Sequence, residues 1–509
     1  MDLVVILGID LGTTCTVTAG IGDDGRPVVL PNSLGETSTP SVVHFESADS
    51  VLVGSTARTA AAVDPDNTVA LIKRRMGTEF DLFFHGVRHT PESISALILR
   101  AVAGDVPGVR AVVTVPAYFG IREREATFQA AALAGIEVLE LLSEPVAAAL
   151  HHRTAFPDAP DTTLVYDLGG GTFDTTVLRG AEVVAVDGDS HLGGADWDAR
   201  LASHLLESFA AAVPEVDPHE DEVFLSEVVV LAEKVKRELS RVSSRTVALR
   251  CGGASAAVEV TRADVEAMGA DLVDRTLEIT RRVLDSAAAR GVPRAGSVVL
   301  VGGASRMPGV ARALRAELGV EPRLVEPDLA VAYGAAIRAH QLASPERLRR
   351  AGGRMAVVAD QPTRSVVPRS FGVLVDDSHD PSGEGRLVVH VVHRNDPLPA
   401  TATTRFATIV NDQDRVRVQI CEQAGDVPSS EPAHNRRVLD GELSGLPPLP
   451  AGSLVEVTLG VSADGLLSVT AREPRSGRSL TLESYVDGVV DGGAHAELAR
   501  SLAGLRVAQ

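Results

Sequence analysis

Two short segments of the chain place glycines beside carboxylates and hydroxyls at the end of an apolar run. They are residues 8–14 (GIDLGTT) and 167–174 (DLGGGTFD). Glycine has no Cβ, so the backbone N–H groups of such turns can approach phosphate oxygens closely. Carboxylates at 10, 167 and 174 suit a hydrated Mg²⁺, because this ion keeps several waters when proteins and phosphates tether it. We therefore predict two phosphate-binding turns, with Mg²⁺ held through water by Asp10 and Asp174.

A third glycine turn, residues 300–306 (LVGGASR), also follows an apolar run and precedes a helical pattern. This position suits the phosphate or ribose side of a nucleotide. The chain has no Gly-x4-Gly-Lys-Ser/Thr segment, which excludes a P-loop NTPase. Any one such turn is more often an ordinary connection between strand and helix. Three in order, two of them beside aspartates, favour a nucleotide site.

Lysine is rare in this chain. Of 48 basic residues only Lys73, Lys234 and Lys236 are lysines, which leaves 45 arginines. A compact ammonium charge that a planar guanidinium does not imitate would explain a retained lysine. Chance is an equal explanation for Lys234 and a weaker one for Lys73.

Composition excludes several classes of protein. The formal net charge of −20 argues against nucleic acid or an anionic membrane as the principal partner. Three widely spaced cysteines suggest neither a disulfide framework nor a zinc site. We find no signal peptide and no apolar stretch of about 20 residues. These features predict a cytoplasmic protein.

Short β-branched runs alternate with helical patterns up to about residue 341, which predicts an α/β domain with mainly parallel pairing. The predicted strands are 3–11, 110–116, 163–168, 173–178 and 297–302. The predicted helices are 122–135, 145–153, 223–241, with Leu225, Val229 and Ala232 on one face, and 264–290, with Asp264 as its cap and Gly291 as its stop.

The texture of the sequence changes after this region. Residues 342–371 read as a linker with a short strand at 355–359. From 372 to 487 apolar residues alternate with a period of two, and Asp464-Gly465 predicts a hairpin turn, so we expect a β-sandwich. Residues 488–509 follow as a tail with one short amphipathic helix at 493–506.

Seven segments resemble the heat shock 70 kDa (DnaK-type) chaperones in sequence and order: GIDLGTT, VPAYF (115–119), SEPVAAAL (143–150), DLGGGTFD, HLGGADWD (191–198), AEKVKRELS (232–240) and VGGASRMP (301–308). The resemblance covers about residues 1–341. It implies an α/β actin-like (ribonuclease H-like) two-lobed ATPase domain followed by an all-β sandwich domain that binds peptide. It also implies ATP or ADP with Mg²⁺ as ligands, and K⁺ as a further candidate ion.

The resemblance implies roles for individual residues by motif position. The implied hydrolytic set is Lys73 near the γ-phosphate, Glu144 and Asp174 organising water and metal, Thr172 assisting, and Asp10. The implied nucleotide-binding set is Gly12, Thr13, Thr14, Asp167, Gly169, Gly170, Gly171, Gly193, Gly194, Glu233, Lys236, Arg237, Ser240, Gly302, Gly303, Arg306 and Asp328. Pro116 and Arg124 match positions that relay nucleotide state to the partner domain in the family.

The helical segment 232–240 has an adenine-side interpretation of its own. Glu233, Lys236 and Ser240 share a face by their spacing, where they could bond a ribose and an adenine. Arg237 and Arg306 could then stack on either side of the base. Without the motif context, a solvated charged face is the simpler interpretation.

The β domain resembles the family's peptide-binding sandwich less closely, mainly at 462–471 and 406–418. Alignment places Val373, Phe406, Val416 and Val418 around a pocket for an extended polypeptide. Each of these residues is equally well explained as ordinary sandwich core.

Three departures concern the coupling of the domains. We expect no helical lid, an altered linker at 359–368 (ADQPTRSVVP), and Glu140 where the family has a basic residue that contacts J-domain co-chaperones. The regions 78–92 and 241–258 also look shortened. We therefore question recognition by J-domain and nucleotide-exchange co-chaperones.

Three functions remain open. The leading hypothesis is a lidless chaperone-like ATPase that binds unfolded or extended polypeptides. The second is an ATP-binding regulatory or scaffold protein with one dedicated partner. The third is a sugar kinase or filament-forming protein that shares the phosphate turns, against which the β domain and the SEPVAAAL and VPAYF segments argue.

Overall fold

A computed structural model describes residues 5–104, 108–180, 182–343, 365–377, 385–424, 429–462, 467–483, 498–499, 502 and 504–509. Its helices are α1 (Ser55–Ala60), α2 (Pro91–Ala103), α3 (Ile121–Leu133), α4 (Glu144–Ala155), α5 (Gly194–Ala212), α6 (Glu222–Leu239), α7 (Arg262–Met268), α8 (Ala270–Ala289), α9 (Pro308–Leu318) and α10 (Ala330–Ala343).

The strands up to residue 324 are β1 (Val5–Leu11), β2 (Cys15–Ile21), β3 (Pro27–Val29), β4 (Thr39–Pro40), β5 (Val42–Ser47), β6 (Ser50–Val53), β7 (Thr68–Ala70), β8 (Leu82–Phe84), β9 (Val87–His89), β10 (Val109–Val115), β11 (Glu137–Ser143), β12 (Thr162–Leu168), β13 (Phe173–Arg179), β14 (Glu182–Asp189), β15 (Ser244–Cys251), β16 (Ala254–Thr261), β17 (Ser297–Val301) and β18 (Arg323–Leu324). The later strands are β19 (Phe371–Asp376), β20 (Arg386–Val392), β21 (Ala400–Ala407), β22 (Val416–Gln423), β23 (Asn435–Leu443), β24 (Leu454–Val461), β25 (Leu467–Arg472), β26 (Ser479–Glu483) and β27 (Arg506–Ala508).

Two mixed sheets form the centre of the α/β part. The first has the order β11-β10-β1-β2-β3, with β4 beside β2, and the second has the order β14-β13-β12-β17-β18. Each combines two parallel pairings with antiparallel ones, so the prediction of mainly parallel sheets was wrong. Helices α4 and α10 pack between the sheets, where apolar side chains from both form one core. The limits of the five predicted strands agree to within two residues with those of β1, β10, β12, β13 and β17.

The predicted helix at 264–290 is two helices. α7 begins after the cap Thr261, whose hydroxyl accepts from the backbone N–H of Asp264, and α8 begins after Gly269. Gly269, which separates the two helices, packs directly against Trp197, since a Cβ at this position would overlap the indole nitrogen. Asp264 is thus the third residue of α7 and not a cap.

Helix α6 agrees with its predicted limits to within two residues, but it packs through a different face. Its buried residues are Phe224, Val228, Ala232, Val235, Lys236 and Leu239. Val229 is 54 % exposed, so the predicted face of Leu225, Val229 and Ala232 is not the face through which the helix packs. The large ring of Phe224 sets the contact, because it packs against Phe209 with ring centroids 5.3 Å apart.

The β domain has two antiparallel four-stranded sheets with the orders β20-β19-β22-β23 and β21-β24-β25-β26. The predicted turn at 464–465 and the predicted linker strand at 355–359 lie outside the described residues. The strands on either side of residues 464–465 pair antiparallel, with Val461 of β24 opposite Leu467 of β25. Of the predicted helix at 493–506 the structure describes 498, 499, 502 and 504–506; the first three are helical, whereas Arg506 belongs to strand β27.

Candidate functional site

The first two glycine turns contact each other at the ends of their sheets. A side chain at Gly170 would overlap that of Thr14, and one at Gly171 would overlap that of Thr13. Residues 193–195 extend the second turn, since the N–H of Gly194 donates to Gly169 O (2.9 Å) and that of Ala195 to Gly170 O (2.7 Å). The structure thus brings the predicted glycines of both turns and residues 193–194 together around one centre.

Three predicted aspartates lie at this centre. Asp167 and Asp174 face each other across β12 and β13, and Asp10 lies near the end of β1. Asp174 is 1 % exposed, and neither of its carboxylate oxygens has a hydrogen-bond partner among the described residues. Burial, followed by the charge of Glu144, raises the pKa of Asp174 well above its usual range. A buried carboxylate with both oxygens unused is suited to a cation with its waters.

Lys73 and Glu144 form a buried ion pair, with Nζ and Oε1 separated by 2.6 Å. Lys73 lies in a short 3₁₀ helix (Ile72–Arg75), and Glu144 begins α4, where the helix dipole favours a carboxylate. The ammonium group also lies 5.7 Å from the centroid of the Phe119 ring. One cation and four carboxylates therefore share this pocket.

The pKa of the Asp10 carboxyl group shows the effect of the charges in this pocket. Burial and then the charge of Glu144 raise the pKa of Asp10 to about 7, while Lys73 and a hydrogen bond from Thr114 act in the opposite direction. The Thr114 hydroxyl donates to Asp10 Oδ1 at 2.9 Å. The pocket holds an excess of negative charge that a divalent cation would neutralise.

The predicted adenine-side residues are divided between two kinds of position. Lys236 is buried, and its Nζ donates to Gly194 O (2.7 Å) and Asp198 Oδ2 (2.8 Å), so it secures the second glycine turn. The hydroxyl of Ser240 bonds to its own helix backbone at Lys236 O. Arg237 is exposed and pairs with Glu233 at 3.5 Å.

The third glycine turn lies against the second, since a side chain at Gly302 would overlap Asp167 and Leu168. Gly302 has a φ of 80°, which favours glycine, and its N–H donates to Pro327 O. Arg306 forms an ion pair with Asp328, and both side chains are partly exposed. Burial raises the pKa of Cys15 to about 11, with Glu233 and Asp328 contributing in the same direction. The nearby charges of Arg58 and Arg237 act in the opposite direction on this pKa.

A cavity of about 290 Å³ adjoins the adenine-side helix. Lys236 and Ser240 line it from α6, and Trp197, Arg262 and Met307 line it from neighbouring elements. Its wall is mostly apolar, which suits the face of a purine ring.

The sequence interpretation missed several residues of the site. The side chain of Arg74 donates from Nε to Gly171 O (2.8 Å) and from Nη2 to Asp196 (3.1 Å), and thus ties the 72–75 helix to the second turn. Tyr118 is buried against Gly188, opposite Asp174. Its position within VPAYF and the position of Arg74 beside Lys73 were the available signals.

The predicted peptide-binding residues belong to both sheets of the β domain. Val373 and Val418 are 4 % and 1 % exposed in its core, and Phe406 and Val416 pack partly buried against that core. Val373 and Val418 therefore occupy core positions, as the simpler interpretation had it.

The β domain contacts the α/β part at two places. Glu422, fully buried on β22, bonds to Arg436 at 2.7 Å, and Arg436 also reaches Glu123 of α3 at 3.3 Å. On the other side Arg394 forms an ion pair with Asp187 of β14, and Asn395 Oδ1 accepts from Val186 N at 3.0 Å.

The residues present fit a Mg-nucleotide. Besides the unused oxygens of Asp174, the buried hydroxyl of Thr13 lacks a partner among the described residues, and side chains at 170 and 171 would fill the space between the turns. Among the described residues no helix is both long and apolar enough to span a bilayer. A protein-family model described as Hsp70 protein matches residues 6–85 and 81–488.

Proposed function

The chain belongs to the Hsp70 family, whose members are ATPases that bind unfolded polypeptides with the help of co-chaperones. We propose that this member is a chaperone-like protein with an actin-like two-lobed ATPase domain. It binds and slowly hydrolyses Mg-ATP, and the nucleotide state changes the affinity of the β domain for extended polypeptide.

The proposed hydrolysis rests on the pocket between the glycine turns. Backbone N–H groups and the Thr13 and Thr14 hydroxyls bind the phosphates, and Lys73 places positive charge beside the transferred group. Glu144 holds Lys73 in place through its 2.6 Å contact, and it orients water together with Thr172. Asp10 and Asp174 would hold Mg²⁺ through its waters, and the ion would supply positive charge to the phosphate oxygens. K⁺ is a second candidate ion for the same acidic pocket.

The adenine side follows from the same arrangement. Glu233 and Ser240 offer polar atoms to the ribose and base, and Arg237 and Arg306 offer planar faces for stacking. Lys236 acts indirectly, because its bonds to Gly194 and Asp198 position the second turn.

Coupling between the domains is supported by one observation: on each side, one interdomain contact is connected to the proposed nucleotide site through one or two intervening residues. Asp174 pairs in register with Gly188, whose neighbour Asp187 binds Arg394 of the β domain. On the other side, Phe119 lies against Lys73 and is followed, two residues on, by Ile121, whose N–H donates to Glu422. A change in the phosphate pocket can therefore reach the β domain through contiguous contacts.

Binding of fluorescent extended peptides to the full chain with ATP and with ADP tests this proposal. We expect affinities that differ by at least about fivefold between nucleotides, the lower limit for ordinary coupling. Asp187→Asn should reduce the ratio of the two affinities. Glu456→Gln breaks an exposed ion pair with Arg405 within the β domain and should leave the ratio unchanged. Equal binding in both nucleotide states, with ATP hydrolysis intact, would reject coupling.

A dedicated-partner protein is the second candidate, and the burial of Val373 and Val418 favours it, since buried side chains are not available to a peptide. Purification of the chain with one stoichiometric partner, together with failure to prevent aggregation of an unfolded protein, would support this alternative.

All three cysteines are free, and we propose a reducing, cytoplasmic location.

Co-chaperone binding is proposed to differ from that of relatives. Glu140 is held by Arg338 at 2.7 Å, so the position presents a neutralised pair and not a free cation. A J-domain that requires a basic residue here should bind weakly.

A further inference from the structure

Strand β27 follows the β domain in the chain, but it pairs with a strand of the α/β part. Arg506, Val507 and Ala508 pair in parallel with Ser50, Val51 and Leu52 of β6. The sheet order is β27-β6-β5-β7, so β27 covers the edge that β6 would otherwise expose. Open edges of this kind accept an extended chain readily.

Apolar side chains anchor the segment that carries this strand. Leu502 and Leu505 are 4 % and 5 % exposed, and they join the core cluster that contains Val51 and Leu97 of the α/β part. Burial of the two leucine side chains away from water stabilises the contact and opposes the entropy lost when the segment is ordered. The contact is thus more than a pairing of backbones.

Polar bonds fix the position of the segment at both ends. Arg100 of α2 donates to Leu502 O at 3.0 Å. The Gln509 side chain accepts from both the N–H (2.9 Å) and the hydroxyl (2.7 Å) of Ser33, and it donates to Ala101 O at 2.9 Å. Ala101 is among the last four residues of α2, whose carbonyls have no partner within the helix. One amide side chain thereby satisfies a loop and a helix end.

We propose that the β6 edge and the end of α2 form a peptide-binding site whose ligand is residues 504–509 of the same chain, together with Leu502. The site recognises an extended strand by backbone pairing, two leucines by the apolar core, and a glutamine amide by Ser33 and Ala101. When this site is occupied, the segment that follows the β domain in the chain is attached to the α/β part. This proposal does not depend on the proposed chaperone activity.

Hydrogen exchange of the full chain provides the first test. The N–H of Arg506 donates to Asp49 O, and N–H groups alternate in direction along a strand, so that of Ala508 also faces β6. Ala508→Pro removes this donor, and Arg506→Gln, at an exposed side chain, serves as its matched control. We expect exchange at residues 50–53 to quicken at least about tenfold in the first variant and to stay unchanged in the second. Unchanged exchange in both variants would overturn the proposal.

The second test uses a chain that lacks residues 498–509 and a labelled synthetic peptide of that sequence, amidated at its end. We expect saturable binding that weakens about five- to tenfold when the peptide carries Gln509→Ala, from the loss of its hydrogen bonds. Absence of saturable binding to a shortened chain that retains its secondary structure would contradict the site. If the shortened chain does not fold, exchange in the two full-length variants decides.

Light scattering separates the same chain from a second copy as the source of the ligand. A monomeric full chain with protected β6 supports the intramolecular contact. A dimer that becomes monomeric on removal of residues 498–509 would show that the segment comes from a neighbouring copy and would overturn it.

Discussion

Glu422 of the β domain accepts a hydrogen bond from the backbone N–H of Ile121 at 3.2 Å, the first residue of helix α3. The N-cap of this helix is Gly120, which has no side chain to cap it. A carboxylate from another domain thus supplies the negative charge that a helix N-terminus favours. Burial alone would raise the pKa of neighbouring Glu123, but the charges of Arg369 and Arg436 outweigh it and lower that pKa.

Replacement of Glu422 by glutamine should destabilise the docked arrangement strongly. The change leaves Arg436 and Arg369 with one buried carboxylate between them, and removal of a partner from a buried pair costs about 3–5 kcal/mol. The midpoint of urea denaturation measures the effect. Glu456→Gln, at an exposed pair, should cost less than about 1 kcal/mol; equal effects of the two changes would contradict this account.

Gly120→Ala should weaken the same contact by a steric route. The backbone at Gly120 has φ −73°, which alanine adopts freely, but its Cβ would overlap the Glu422 carboxylate. We expect a loss of about 1–3 kcal/mol, the usual cost of overpacking. Gly20→Ala is the control, since its Cβ would lie at an ordinary 3.5 Å from Leu30. The two variants are compared by thermal unfolding, and a control as damaging as Gly120→Ala would argue against the steric explanation.

Loss of the Lys73 ammonium should abolish most ATP hydrolysis. Lys73→Ala removes the only cation that contacts Glu144 among the described ion pairs, and we expect single-turnover hydrolysis to slow by about 10²–10³. Lys73→Arg should recover little, because a planar guanidinium does not fit a site built for a point charge. Lys234→Arg, at an exposed position of α6, is the control and should retain full activity. Hydrolysis unchanged in Lys73→Ala would remove this residue from the mechanism.

Stability without metal or nucleotide should fall as the pH rises from about 4 to 7. The Asp10 carboxyl has an ordinary pKa of 3.8 and a folded pKa of about 7, so the folded state binds more protons across this interval. Since Asp10 is partly exposed, we expect a change on the order of 1–2 kcal/mol, less than the full shift implies.

Urea denaturation at pH 5 and pH 8 measures this change, and Asp10→Asn should reduce the dependence without removing it, because the pKa of Asp174 is raised as well. Mg²⁺ favours the ionised carboxylate, so calorimetry in two buffers at pH 6.5 should detect proton release when Mg-ATP binds. A pH-independent midpoint from pH 5 to pH 8 would contradict the assigned environment of Asp10.

Trp197 is the sole tryptophan of the chain and lines the cavity beside Lys236 and Ser240. Adenine nucleotides should therefore change its fluorescence, with a titration that gives the same dissociation constant as calorimetry. Lys236→Ala should weaken this binding about tenfold or more, because it frees the second glycine turn from its buried anchor. A fluorescence response of equal affinity in Lys236→Ala would place the nucleotide elsewhere.

Local chemistry accounts for what could be predicted from the sequence. Gly170 and Gly171 stand beside Asp167 and Asp174 within one segment, so the type of site could be inferred before its geometry was known. The capping of α3 by Glu422 could not be predicted. Glu422 lies 301 residues from Ile121, and no motif in either segment indicates that the two are in contact. Helix α6 shows the intermediate case: its limits follow from periodicity, but its buried face depends on the ring of Phe224 meeting Phe209.

The placement of β27 also constrains the order in which the molecule is made. Strand β6 is synthesised some 450 residues before Val507, its neighbour on one edge. As the chain emerges during translation, the β6 edge of the sheet of β5, β6 and β7 stays open while the rest of the α/β part and the β domain are synthesised. That edge is thus covered only after the β domain has been made.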